Sequence, residues 1–172
     1  MLFRSSGIDP SHVDNHMLVA MCDEFFEIYL QAGRERGIPS FLARDLNSPE
    51  VKRWVERRGA EWEDLSQPVF DYCRVTTRRG DALDQLDFVA DLFDRLPAGL
   101  SCVLLHPAID TPEIRSVTGD WRGRVADFEV FRQPSLRDHI RDLGINLISY
   151  RPICDAMRRH SRKKPVTTDP VR

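Results

Sequence analysis

The 172-residue sequence predicts an α/β protein built on a parallel sheet, either open or as part of a barrel, and three observations carry that expectation. Segments with helical spacing alternate along the chain with short apolar runs of strand length. The clearest unit sets Ala82, Leu86, Val89, Phe93 and Leu96 on one helical stripe, and after Pro97-Ala98-Gly99 it runs into the apolar segment Leu100 to Leu105. That segment ends in His106-Pro107, an imidazole at the carboxyl end of a buried strand, where sheets and barrels collect their chemistry and where a proline fixes the turn.

The remaining elements follow from the same signals. Leu18, Cys22, Phe25, Phe26, Tyr29 and Leu30 recur at helical spacing, with Gly37 and Pro39 as the stop. Ile38 to Ala43 is a short strand candidate. Ser48 as N-cap and Pro49 at the first helical position start a second helix that runs to Trp62, with Val51, Trp54 and Val55 on one side. Phe70 to Val75 reads as a strand and Thr76 to Gly80 as a polar loop. Trp121 to Phe131 is helical, Ser135 caps a helix through Leu143 that ends at Gly144, Ile145 to Tyr150 makes a last strand, and Ile153 to His160 is a short helical piece. The tail over 161–172 is polar, carries two prolines and reads as disordered, which leaves 1–160 as one domain.

Bulk composition excludes more than it assigns. With 41% hydrophobic residues the chain can build one modest core. Lys and Arg (25) nearly balance Asp and Glu (27), so no global basic field calls for nucleic acid or a membrane surface. Cys22, Cys73, Cys102 and Cys154 never form a C-x-x-C pair and sit in apolar surroundings, as reduced thiols of a cytoplasmic protein would. No apolar run is long enough to span a bilayer, and MLFRSSGIDP lacks the apolar core of a signal peptide. There is no G-x-G-x-x-G, P-loop or G-x-S-x-G element, which argues against nucleotide binding and a serine hydrolase.

Three constellations could carry chemistry. In His12-Val13-Asp14-Asn15-His16 the two imidazoles would share a metal ion if helical, but Pro10 and Val13 favour a strand running into a loop, where residues four apart lie about 13 Å from each other. His16 is then the better ligand, with Asp14 placed to ligate or to orient an imidazole, and the competing reading is a polar surface pair. His106, followed by Asp110, Glu113 and Arg115, suits a general acid, or else an imidazole that hydrogen-bonds the turn at the rim. Asp110-Thr111-Pro112-Glu113 equally suits the capped start of a helical turn. The cluster from Arg158 to Lys164 reads as a solvated end, and Trp54, Trp62 and Trp121 as packing residues rather than sugar platforms.

Pro10-Ser11-His12-Val13-Asp14-Asn15-His16 resembles the P-T-H-x-D-S-H stretch of the YdjC/ChbG/HpnK-type carbohydrate deacetylases. Leu105-His106-Pro107-Ala108 resembles their C-H-P-A element, and Gly144-Ile145-Asn146-Leu147-Ile148-Ser149-Tyr150-Arg151 their closing G-I-x-L-I-S-Y-R. The likeness runs from about residue 3 to about residue 158. It implies hydrolysis of an N-acetyl group on an amino sugar or acetylated glycan with a divalent metal, Mg²⁺ or Zn²⁺. The ion would polarise the amide carbonyl and acidify a bound water, a carboxylate would take the water's proton, and an acid would protonate the leaving amine. Carried over residue by residue, His16 is the metal ligand, and His106 would sit near the reacting group as the catalytic acid or as a substrate contact; Asp14 and His12, read from their spacing, could ligate or support the ion, and other substrate contacts are unassigned.

The acidic D-D-F-G element and the G-x-H element of the family, which supply further ligands and the base, do not occur in this chain. The expectation is therefore a partial (β/α) barrel of the polysaccharide-deacetylase-like type with its N-terminal strands missing, shorter than the roughly 250 residues of a complete barrel. Such a chain should bind metal weakly, expose an edge and an apolar face, and self-associate or pair with a complementing N-terminal fragment. The alternative is a catalytically inactive remnant, or a carbohydrate-binding or interaction module.

Overall fold

The structure is a computed structural model and describes residues 6–46, 52–53, 56, 67–77 and 82–163. The chain divides into two compact units, one of Met1–Leu42, Arg53–Val69 and Ile148–Arg172, the other of Ala43–Lys52 and Phe70–Leu147.

In the first unit, helix α1 spans Asp23–Arg36. Its acidic start, Asp23 and Glu24, and basic end, Arg34 and Arg36, both complement the helix dipole. Gly37 closes it in the left-handed conformation (φ 59°), its N–H bonding the Arg34 carbonyl at 3.1 Å. The buried face is Phe26, Tyr29, Leu30 and Gly33, the helical period 0, 3, 4, 7. Gly33 cannot carry a side chain, because a Cβ there would stand 2.5 Å from Ser40 Oγ and 2.8 Å from the Ile38 carbonyl. Met21, Phe26, Tyr29, Leu30 and Leu42 form the core, with Val13, Leu18, Ala20 and Val69 packed on it.

The helix does not begin at Leu18 as its spacing suggests. Met17 and Leu18 adopt positive φ (56° and 58°), so His16–Met21 forms a separate tight turn and regular helix starts after Cys22. Phe25, expected on the apolar stripe, is exposed. The final helix of the unit also starts earlier than Ile153 and runs over Tyr150–Lys163. It begins where a last strand was expected. Asn146 to Ser149 are exposed and pair with no strand among the described residues, and Ser149 Oγ instead accepts the Arg151 N–H at 3.3 Å and opens the helix.

In the second unit, strands β1 (Tyr72–Val75) and β2 (Ser101–Leu104) pair in parallel from Tyr72 opposite Ser101 to Val75 opposite Leu104. Helix α2 (Ala82–Asp94) connects them, as a parallel pair requires. Parallel bridges from Ala43 to Phe70 and from Leu46 to Cys73 join the segment before β1, so successive stretches of chain pair in sequence order. The 38–43 segment is buried but makes only single bridges rather than a strand.

Three further helices complete this unit, α3 (Pro112–Val117), α4 (Trp121–Phe131) and α5 (Pro134–Asp142), and Tyr150–Lys163 of the first unit is α6. Thr111 caps α3 by accepting the Ile114 N–H at 3.3 Å. The α5 cap falls on Gln133 rather than Ser135, since Pro134 takes the first helical position that suits its fixed φ. Val89 and Phe93 of α2 pack with Val130, Leu136 and Ile140, and Leu86, Leu96, Val103 and Ile145 border them. Each such buried aliphatic side chain is worth about 1.5–3 kcal/mol of transfer free energy. The expected helix over Pro49 to Trp62 lies almost wholly outside the described residues, as do Arg78 to Gly80 and the tail beyond Lys163. Among the described residues no helix is long and apolar enough to cross a membrane.

Candidate active site

In-register parallel pairing of β1 and β2 brings the residues that follow them, Thr76-Thr77 and Leu105-His106, to one edge of the sheet. The Thr76 N–H bonds the Leu104 carbonyl at 2.9 Å and continues the ladder past the strands. His106 is half-buried there, its Nδ1 lying 3.0 Å from Thr77 Oγ1.

Behind both stands Asp127 on α4, fully buried. Its Oδ1 accepts from Thr76 Oγ1 at 2.9 Å and Gln85 Nε2 at 2.7 Å. Its Oδ2 accepts from the Thr77 hydroxyl and, at 3.1 Å, from the His106 backbone N–H. Gln85, also buried, donates to the Thr76 carbonyl at 2.8 Å. Four donors on one dry carboxylate offset the cost of burying it, and they tie α2, α4 and both strand ends together. Thr76 and Thr77 are therefore anchors of the sheet edge rather than members of a solvated polar loop.

The charges downstream of His106 neutralise each other. Arg115 grips Asp110 with two bonds of 2.6 and 2.7 Å, and the guanidinium holds that exposed carboxyl below its ordinary range. Glu113 is exposed in the first turn of α3. Trp121 is covered by the guanidinium groups of Arg115 and Arg122, 4.9 and 4.4 Å from the ring centre. Asp120, at the start of α4, pairs with Arg124 at 2.8 Å, and that bond, with a second from Thr118, pulls its carboxyl down to about 2.

The His12–His16 stretch belongs to the first unit. The His12 ring lies flat on Tyr150, with centres 3.9 Å apart and planes 5° apart, and its Nδ1 is 3.0 Å from Ser11 Oγ. Val13 is fixed as a strand residue by bonds to Pro39 and Phe41, and its carbonyl accepts from the Tyr29 hydroxyl at 3.0 Å. Burial pushes that hydroxyl's pKa up. Asn15 is buried and accepts the Ala20 N–H at 2.9 Å, while Asp14 and His16 are exposed. Arg151 binds Asp9 at 2.6 Å, and Arg158 reaches both Asp9, at 3.3 Å, and the Gly37 carbonyl, at 2.9 Å. Arg158 is thus a structural link rather than part of a solvated charge run.

Among the described residues, no three His, Cys, Asp or Glu side chains come together in a group that could hold a metal ion. A catalytic metal takes about three protein ligands, so the described residues do not fit a complete metal site. All four cysteines are free thiols.

Sequence reasoning found His106 but missed Thr76, Thr77, Gln85 and Asp127. Two signals were present. Asp127 interrupts the inward positions Gly123, Ala126 and Val130 of α4, and Gln85 lies one turn before Val89 on the apolar side of α2.

A family model described as "YdjC-like protein" matches residues 1–142. A chitooligosaccharide deacetylase of Proteus mirabilis (strain HI4320) is 29% identical over 150 residues, which are 86% of this chain and 54% of that protein. A second, from Yersinia enterocolitica, is 25% identical over 146 residues, 84% of this chain and 53% of its own length. The chain thus spans about half the length of the curated relatives it matches. A solved structure of an Enterococcus faecalis V583 protein named for cellobiose-phosphate cleavage shares the fold, with TM-score 0.66 and 21% identity over 88% of this chain and 56% of that one.

Proposed function

The chain belongs to the YdjC-like family, and from that membership we propose that it serves the hydrolysis of N-acetyl groups on an amino sugar or a chitooligosaccharide-type glycan. The observation that carries this reading is His106, held at the carboxyl end of β2 by a buried network that contacts its ring at Nδ1, through Thr77, and its backbone N–H, through Asp127. Amide hydrolysis must deliver a proton to the departing amine, and Nε2, which makes no hydrogen bond among the described residues, is the nitrogen left for that transfer. The names of the relatives favour a hydrolase over an inactive remnant or a binding module.

We assign His16 to a divalent ion, Mg²⁺ or Zn²⁺, with Asp14 and His12 in support. With Asp14 and His16 exposed and the His12 ring stacked on Tyr150, these three side chains fall short of the enclosing ligand set a catalytic ion takes. The sequence-order parallel pairing around β1 supports reading the sheet as part of a (β/α) barrel. Free thiols in all four positions support a reducing, cytoplasmic setting.

The test is product analysis. N,N′-diacetylchitobiose is incubated with the 172-residue chain and either ion, alone and with a polypeptide carrying the D-D-F-G and G-x-H elements. Release of acetate with a new free amine and an intact disaccharide, in either arm, is the expected result. Intact substrate, or cleavage between the sugars, in both arms overturns the reading.

A further inference from the structure

We propose that Thr77 and Asp127 are positioning residues that fix His106 in the Nδ1–H tautomer and so reserve Nε2 for proton exchange with a ligand. The part played toward a ligand rests on the deacetylase reading; the tautomer rests on proton counting alone. A carboxylate offers about four lone-pair sites on two oxygens. All four are filled at Asp127, by Thr76 Oγ1 and Gln85 Nε2 on Oδ1 and by Thr77 Oγ1 and the His106 N–H on Oδ2.

Two of these donors leave no choice of direction. The His106 backbone N–H can only donate. Gln85 must turn its NH₂ toward the site, because the Thr76 carbonyl it also contacts, at 2.8 Å, can only accept. Each oxygen of Asp127 therefore has one obligatory donor, and the ionised carboxylate is the form toward which both threonine hydroxyls can donate as well, although the Thr76 hydroxyl has the Leu104 carbonyl as a second acceptor at 3.3 Å.

A hydroxyl has one proton. Thr77 gives its proton to Asp127, so toward His106 it can only accept. The ring nitrogen 3.0 Å away must then carry hydrogen, and the backbone N–H at 3.2 Å shares the same acceptor. Thr77 thus relays the position of the carboxylate to the imidazole without direct contact between the two side chains. The relay also sets the ring plane, since Nδ1 and the amide of one residue are both drawn to a single oxygen. In a neutral imidazole with Nδ1 protonated, Nε2 holds the lone pair, and on gaining a proton it becomes the donor. Both halves of an acid–base cycle then pass through one nitrogen.

The experiment is long-range ¹H–¹⁵N correlation on the ¹⁵N-histidine-labelled chain at a pH where the imidazoles are neutral. His106 is assigned among the five histidines by its loss in His106→Gln. The expected pattern is a pyrrole-type shift at Nδ1 and a pyridine-type shift at Nε2. Thr77→Ser should keep that pattern. Thr77→Val should lose it, moving both nitrogens toward the averaged shifts of free imidazole. Asp127→Asn should invert it if the variant folds, because an amide can donate to Thr77 and turn its hydroxyl toward Nδ1. A wild-type spectrum with Nε2 protonated overturns the proposal, and so does a Thr77→Val spectrum identical to wild type. The wild-type result decides even if both variants unfold. Absence of acetate release with the expected spectrum would remove the deacetylase reading and leave the tautomer standing.

Discussion

His16 and His106 are the same side chain placed in opposite settings. His16 opens a tight turn on the surface, next to two residues with left-handed backbone, and its ring is exposed. His106 ends a strand, half-buried, with a carboxylate and two threonines behind it. The difference shows what turns a histidine into a directed acid or base. Neighbours must satisfy one ring nitrogen and hold the ring still, and that takes buried polar groups that some other element of the fold supplies.

Stability measurements can break this contrast. The largest effect is expected for Asp127→Ala, which removes the buried acceptor shared by the Gln85 amide, two hydroxyls and a backbone N–H. A loss of about 3–5 kcal/mol in denaturant melts is expected, against less than about 0.5 kcal/mol for His16→Ala. Equal costs for the two would mean that the settings are not different in kind. Leu30→Ala, in the fully buried core of the first unit, should cost about 2–4 kcal/mol, showing that this unit is stabilised by its apolar packing rather than by its histidines.

Smaller effects sharpen the contrast. Tyr150→Ala removes the ring stacked on His12 and should cost about 1 kcal/mol, read as a lowered Tm. Met17→Gly relieves a φ of 56° at an exposed position. The relief, about 1–2 kcal/mol, outweighs the added chain entropy of glycine by roughly 0.5 kcal/mol, so Tm should rise slightly. Asp120 gives the smallest effect and depends on pH. Its carboxyl is held down to about 2 in the folded chain, so the stabilisation is complete above the ordinary carboxylate range near about pH 4 and fades as pH falls toward that lower value. Asp120→Asn should flatten the acid limb of a circular-dichroism titration in that window, and added salt should mimic it, because the pair is partly exposed.

Local signals in the sequence were sufficient where packing agreed with them. The span of α4 from Trp121 to Phe131 matches its apolar pattern, and the stripe at Leu86, Val89, Phe93 and Leu96 is the face that packs on Val130 and Leu136. Thr111-Pro112 announced α3 because a capping hydroxyl and a proline at the first position act within a single turn. The strand expected over Ile145 to Tyr150 failed because period alone cannot supply a pairing partner. Only Ile145 found a core, and Ser149 was a better cap than a strand residue. The network around Asp127 was out of reach for a related reason. The bonds that Asp127 accepts join residues 21 to 51 positions apart, and local spacing carries no information about such distances.

The most direct test of the sheet-edge histidine as the reacting group is the rate of acetate release from N,N′-diacetylchitobiose by His106→Ala, measured in whichever arm shows deacetylation by the unaltered chain. The expected result is a kcat lower by about 10²–10⁴ with a far smaller change in KM, the loss of a positioned general acid. An unchanged kcat would place the proton transfer elsewhere and contradict the account.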